Sequence, residues 1–361
     1  MRERSIALTL AAGGFNRNGR RGIIGHAVTT LDIIVDLQYG DSGKGKVAHF
    51  LCKTKNYTHI LRYNGGANAG HTIFHKGRKF VTHQVPAGVF FGVKSVIGPG
   101  CVVDPEVLKK EIKELERGGI KVKGKLFIAK NAHVTLPRHK KEDATDKKIG
   151  TTKRGIGPTY RDKYARVGTR AENVKALKPF LIDLYEEFGG GTKKASVLCE
   201  GAQGFGLDID WGDYPFVTSS HCTAGSAIMN GFSPRTVRDV WGVAKVYETY
   251  VGNKQFEPKN PIFAKLREAG EEYGATTGRP RQCNWLDLEL LERAVRLNGV
   301  NHLVLNKMDV LDTVGVWNVR EGRNIKAFKN GAAMRAFIRK RLAKSGLSAR
   351  NIHFSNRKDA I

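Results

Sequence analysis

The sequence is short of several things that would assign it a class. Its five cysteines, Cys52, Cys101, Cys199, Cys222 and Cys283, are odd in number, far apart and never spaced C-x-x-C. That argues against a disulfide framework or a structural zinc site and fits a reducing, cytoplasmic setting. No apolar run approaches the roughly 18 residues a membrane span needs, and no internal repeat or low-complexity tract stands out. Acids are scarce, with 34 Asp and Glu against 61 Lys and Arg, a formal net charge of +27. Such an excess favours anionic partners, but no RNA-binding aromatic signature or zinc-finger spacing supports nucleic acid over phosphorylated small molecules. Residues 1–29 hold Glu3 as their only acid beside Arg2, Arg4, Arg17, Arg20 and Arg21. The composition is that of an organelle presequence, yet interspersed glycines spoil an amphipathic helix. A disordered or over-called extension is therefore expected over 1–29, with the folded domain at 30–361.

What is present centres on residues 31–47, LDIIVDLQYGDSGKGKV. Leu31, Ile33, Ile34 and Val35 read as a buried parallel strand, and a glycine-rich turn leads into a helix near Val47. Glycines at 40, 43 and 45 allow close backbone approach, Lys44 and Lys46 add positive charge, and the helix start adds N–H donors, a combination suited to phosphate. Gly40 to Lys46 follows the nucleotide-binding pattern G-x-x-x-x-G-K-[ST] until Val47 replaces the hydroxyl residue. Asp41 is electrostatically out of place in such a loop unless it binds a metal or moves a proton.

Further along, residues 59–63 predict a second strand that runs into NGGANAGHT, ending near His71. Strands are expected at 79–83, 95–98, 125–129, 195–199, 242–251 and 302–305, and helices at 105–117, 171–187 and 331–345. This alternation predicts an α/β fold with a largely parallel central sheet, a P-loop-like glycine-rich loop and long functional loops. Residues 131–168 read as one irregular, functional loop. The run 200–225 is rich in side-chain donors and acceptors, TTGRPRQ at 276–282 sets two arginines beside two threonines, and NKMD at 306–309 has the form of a guanine reader.

Taken together, GDSGKGK, NAGHT, TTKRGIGPTYRDKYAR, EGAQG, YPFVTSS, TTGRPR and NKMD resemble adenylosuccinate synthetase in order and approximate spacing over residues 31–361, in a short form. The resemblance implies a GTP-dependent ligase joining L-aspartate to C6 of a 6-oxopurine nucleotide, usually IMP, through a 6-phosphoryl intermediate. It assigns Asp41 as general base, His71 as the acid and Lys44 to the phosphates, with Mg²⁺ held by Asp41 and the Gly70 carbonyl. Gly40, Ser42, Gly43, Gly45, Lys46, Lys307 and Asp309 match GTP contacts, and Asn68, Ala69, Thr152, Gln203 and Thr218 match purine monophosphate contacts. Arg166 matches an arginine that reaches the neighbouring subunit's nucleotide, which implies a homodimer. Thr276, Thr277, Arg279 and Arg281 match the aspartate-binding loop.

The chain departs from the family pattern at Tyr39 (usually Trp), Ser42 (usually Glu), Lys153 (usually Gly), Tyr250 (usually Arg) and around Ser355-Asn356-Arg357. The start Asp36-Leu37-Gln38-Tyr39-Gly40 also resembles viral relatives that use dGMP, so the same reaction on GMP or dGMP is the alternative. A GTPase switch is a further one, opposed by Val47 and by the extra loops.

Overall fold

The computed structural model describes residues 29–274 and 278–356. The expectation of a disordered extension therefore lies outside the described residues except at Thr29, which is buried and donates to the Lys193 carbonyl at 2.6 Å.

Nine parallel strands form the central sheet. In chain order they are β1 (Thr30–Asp36), β2 (His59–Arg62), β3 (Lys94–Ile97), β4 (Leu126–Ala129), β5 (Leu181–Ile182), β6 (Ser196–Glu200), β7 (Val237–Lys245), β8 (His302–Asn306) and β9 (Ile352–Ser355). In space they run β9-β8-β7-β1-β6-β2-β3-β4-β5, with every pairing parallel. The first strand is thus central. Leu31, Ile33, Ile34 and Val35 are fully buried, because a parallel sheet is covered on both faces and its middle strand has no solvent side. Helix α1 (Lys44–Thr54) covers one face by burying Val47, Ala48 and Leu51. Helix α2 (Pro105–Arg117) starts at an Asp104 cap that accepts from the Glu106 and Val107 N–H groups, a contribution of about 1 kcal/mol. An antiparallel hairpin, His71–His75 with Arg78–Thr82, packs on α1, and a smaller four-stranded sheet includes Tyr247–Tyr250 and Gln282–Asp287.

Three expectations differ from the structure. Residues 171–187 do not form one helix: the chain makes 3-10 turns at Ala171–Asn173 and Lys175–Phe180, then β5, then a short helix Leu184–Phe188. Pro179 cannot continue an α-helix, and Asp183 caps a fresh one by accepting from the Tyr185 and Glu186 N–H groups. Residues 242–251 split into the end of β7 and the strand Tyr247–Tyr250, so the chain changes sheets at Val246. The stretch 131–168 contains two short helices, Pro137–Asp143 and Ile156–Tyr164, the second opening at Gly155 in the left-handed region.

Six strands end on a buried polar residue. Asp36, Arg62, Glu200, Lys245, Asn306 and Ser355 close β1, β2, β6, β7, β8 and β9, and each is at most 4% exposed. They share one edge of a parallel sheet, its carboxyl end, where open α/β folds bind ligands.

Candidate functional site

The glycine loop is built around a carboxylate of its own. Asp36 accepts from the N–H groups of Gln38 (3.0 Å), Gly40 (3.3 Å) and Ser42 (3.1 Å), and from the Ser42 hydroxyl (3.0 Å). Lys44 Nζ donates to Asp36 at 3.0 Å and to the Gln203 carbonyl at 2.6 Å. The donors read from the sequence as a phosphate cradle therefore converge in part on an internal anion. Ser42, standing where the family has Glu, is buried and fits because the acid it bonds sits six residues earlier. Gly43 (φ +101°) opens α1, and a Cβ there would lie 2.7 Å from the Asn306 amide nitrogen, which donates to the Ser42 carbonyl at 2.7 Å. The NKMD segment is thereby seated on the loop.

His71, at the base of the hairpin, lies against the same helix start: a Cβ on Gly45 would be 3.2 Å from His71 Cβ. Its Nδ1 is hydrogen-bonded to Glu200 Oε1, while Glu200 Oε2 accepts from the Ala87 N–H at 3.0 Å and Arg62 lies 3.6 Å away. Burial would raise Glu200, but His71, Arg62 and the Ala87 N–H outweigh it and hold the carboxyl at about 2. Burial and then Arg62 push His71 down to about 4, against the pull of Glu200. An ionised carboxylate only accepts, so His71 carries its hydrogen on Nδ1 and presents a bare Nε2.

Asp41 takes a left-handed backbone (φ +55°) and leaves its side chain 39% exposed. Its Oδ2 lies 2.9 Å from Arg281 Nη2, and Arg281 Nη1 lies 2.6 Å from Glu272 Oε2. Two motifs some 240 positions apart in sequence thus meet in one ion pair. Desolvation opposes the charge on Arg281, but Asp41 and Glu272 outweigh it and keep the guanidinium protonated.

Asn64 laces the loop after β2 to the loop after β6, accepting from the Ala202 N–H (2.8 Å) and donating to the carbonyls of Ala202 (3.2 Å) and His221 (2.9 Å). Asn68 Oδ1 takes the Gly66 N–H, and Ala69 is buried beside it. Gln203, also left-handed (φ +55°), leaves its buried side-chain oxygen without a hydrogen bond, as befits a group awaiting a ligand. Thr218 is half-buried, its N–H on the Leu207 carbonyl. Lys46 Nζ meets Ser355 Oγ at 2.8 Å and Lys307 Nζ meets the Gly270 carbonyl at 2.7 Å, whereas Asp309 is exposed. Thr152 and Arg166 lie on exposed loops, and Arg279 is exposed. Thr276 and Thr277 lie outside the described residues.

Sequence reasoning passed over Asp36, Arg62, Glu200, Lys245 and Glu272 as individual actors. For four of them a signal existed, a charged residue closing a β-branched apolar run. Among the described residues no trio of His, Cys, Asp or Glu could cage a metal ion. The half-exposed Asp41 carboxylate is the kind of oxygen donor a hard cation takes, because magnesium is commonly held by one or two carboxylates plus phosphates.

A family model described as adenylosuccinate synthetase matches residues 33–186 and 171–327. Curated relatives of that description include those of Chlorobaculum parvum, 42% identical over 336 residues (78% of this chain, 77% of that one), and Aquifex aeolicus, 43% over 332 (78% and 76%). That of Helicobacter pylori is 40% identical over 352 residues (82% and 84%). Among solved structures, fully ligated adenylosuccinate synthetase from Plasmodium falciparum superposes with a TM-score of 0.79 at 28% identity, covering 92% of this chain and 98% of that one. The cyanophage S-2L succinoaminodeoxyadenylate synthetase bound to dGMP and dATP has a TM-score of 0.67 at 24% identity, covering 88% and 99%, a likeness of fold alone.

Proposed function

The chain belongs to the adenylosuccinate synthetase family, and from that premise we propose that it joins L-aspartate to C6 of IMP, spending GTP to give adenylosuccinate, GDP and phosphate. The observation that carries this reading is the contact of Asp41 with Arg281, at 2.9 Å, which joins the group proposed to move a proton to the loop proposed to hold aspartate.

Asp41 removes the proton from N1 of IMP, so that electron density moves to O6 and O6 attacks the γ-phosphorus of GTP, releasing GDP. The 6-phosphoryl group is a good leaving group where hydroxide is not. The aspartate amine then adds to C6, phosphate departs and the amine loses a proton. His71 is poised for the first step: phosphate charge arriving beside its bare Nε2 favours the imidazolium, and Glu200 stabilises that cation through Nδ1. Lys44 and Lys46 face the phosphates, Lys307 and Asp309 read guanine, and Asn68, Ala69, Thr152, Gln203 and Thr218 hold the purine monophosphate. Thr276, Thr277, Arg279 and Arg281 hold the aspartate. Magnesium, when bound at Asp41 and Gly70, offsets charge on the transferring group.

We also propose a homodimer in which Arg166 acts in trans. Tyr164 (64% exposed), Val167 (65%) and Met229 (74%) support it, since Lys163 reaches the Pro99 carbonyl and Asn230 accepts from the Gly100 N–H, bringing these apolar side chains round one turn. Five unpaired, buried thiols support a cytoplasmic location.

The deciding assay supplies GTP, Mg²⁺ and aspartate with IMP, GMP or dGMP in competition. IMP is expected to turn over preferentially, and preference for dGMP would reassign the substrate. Aspartate-independent GTP hydrolysis would instead favour a switch. Asp41→Ala is expected to abolish ¹⁸O positional exchange in GTP measured with IMP and without aspartate.

A further inference from the structure

Glu272 belongs to none of the motifs that carry the family resemblance, yet it is only 1% exposed and sits where three parts of the site join. Its Oε2 takes Arg281 Nη1 at 2.6 Å; its Oε1 takes the Tyr247 hydroxyl at 2.7 Å and Lys245 Nζ at 3.1 Å. Lys245 Nζ also donates to Thr249 Oγ1 at 2.5 Å. The backbone of Lys245 is gripped in turn by Gln38, whose side chain accepts the Lys245 N–H at 2.8 Å and donates to the Lys245 carbonyl at 3.0 Å. Gln38 lies three residues before Asp41, so the contacts close a circuit from Asp41 through Arg281, Glu272, Lys245 and Gln38 back to the stem of the glycine loop.

The circuit alternates in charge, and its geometry is directional. A guanidinium is planar, so holding one terminal nitrogen fixes the direction of the other. Glu272 holds Nη1, and Nη2 therefore points at Asp41 Oδ2. Glu272 is itself immobilised by two buried donors, and the Arg281 N–H on its main-chain carbonyl at 2.9 Å ties the two backbones together.

We propose that Glu272 is a positioning residue for the ligation: by fixing Arg281 it aims the Asp41 carboxylate for proton removal and holds an arginine proposed to bind aspartate in register with it. This rests on the function proposed above. Glu272 touches no substrate; it acts through Arg281.

Glu272→Gln keeps the shape and removes the charge. Misplacing a catalytic group by about 1 Å costs on the order of 100-fold, so kcat should fall by about that factor and ¹⁸O exchange in GTP, measured without aspartate, should slow with it. The KM for aspartate should rise about tenfold, while those for IMP and GTP stay within about threefold. Tyr247→Phe, which removes one hydrogen bond to Glu272 and leaves its charge, should move the same two quantities in the same direction by less, about threefold. Should Glu272→Gln fail to fold because Lys245 is left buried and unpaired, Lys245→Met/Glu272→Gln removes both charges and is expected to show the same kinetic pattern. Unchanged exchange and aspartate KM in a folded variant overturn the proposal, as does an equal rise in all three KM values. A wild type that ligates normally beside such a variant confines the failure to Glu272; a wild type inactive on every purine removes the functional reading and this inference together.

Discussion

The residues that organise the site are those that end strands, and their burial gives them measurable consequences. Along the edge of the sheet the order is Lys245, Asp36, Glu200, Arg62, with two acids side by side, and each buried charge still finds an opposite one: Lys245 in Glu272, Asp36 in Lys44 and Glu200 in Arg62. Two other buried acids lack that compensation. Burial, then Asp287, raises Glu248 to about 8 against the opposing Arg320, and burial raises Glu111 to about 7 despite three backbone N–H donors. Both carboxyls bind protons more tightly folded than unfolded, where 4.5 is ordinary. The folded state therefore holds more protons across that interval, and stability falls as pH rises through it. A contribution that lowers Tm from about pH 4.5 to about pH 8 is expected from this pair, and Glu248→Gln should remove the larger part of it and melt above wild type at the alkaline end. An unchanged slope in scanning calorimetry would show that the Glu248 carboxyl is already ionised in the fold.

The same residues mark how far the sequence was legible. Asp41, Lys44 and His71 stood out because an acid, a lysine and a histidine among glycines have few structural uses. Glu200 and Arg62 were visible as charges closing VLCE and HILR, but a strand-end charge is recognised as internal only when its neighbours in the sheet are known, and those neighbours are set by strand order. Glu272 carried no signal: an acid in EAGEEYG reads as surface.

At the scale of elements, the strand, loop and helix at 30–54 were legible from periodicity and glycine placement, because the conformation there is decided locally. The failures at 171–187 and 242–251 share a cause. Pro179 and the change of sheet at Val246 cut apolar runs whose pattern alone predicts continuity, and which piece joins which sheet is settled by partners from about 30 to over 200 residues distant. The join between the glycine loop and NKMD offers a test of one element acting on another. Gly43→Ala forces a methyl to within 2.7 Å of the Asn306 amide at a φ of +101°. The 306–309 segment must yield, so the KM for GTP is expected to rise about tenfold with that for IMP nearly unchanged, a split readable by initial rates. A larger effect on IMP would mean that Asn306 braces the purine monophosphate side instead.

For the whole molecule, the question is whether one chain holds a complete site. If Arg166 serves the neighbouring subunit, Asp41→Ala and Arg166→Ala chains, each inactive alone, should complement when mixed and re-equilibrated. Half the dimers are then mixed and each has one intact site, giving about a quarter of wild-type activity. Activity no greater than the sum of the two variants, with mixed dimers verified by native mass spectrometry, would place Arg166 in its own subunit's site. The net charge of +27 suited phosphorylated substrates from the outset, but most of it lies outside the contacts described, so composition pointed to the ligand class without pointing to the place.

The central position of β1 also governs when the protein can first work. Its partners begin at residues 196 and 237, and Lys46 reaches Ser355 only after the last strand has been added to the sheet. A chain still emerging from the ribosome holds the glycine loop early but lacks the strands on either side of it, and such non-local pairing closes late. Nucleotide turnover is thereby withheld until the strands that flank the loop have been made and have joined the sheet.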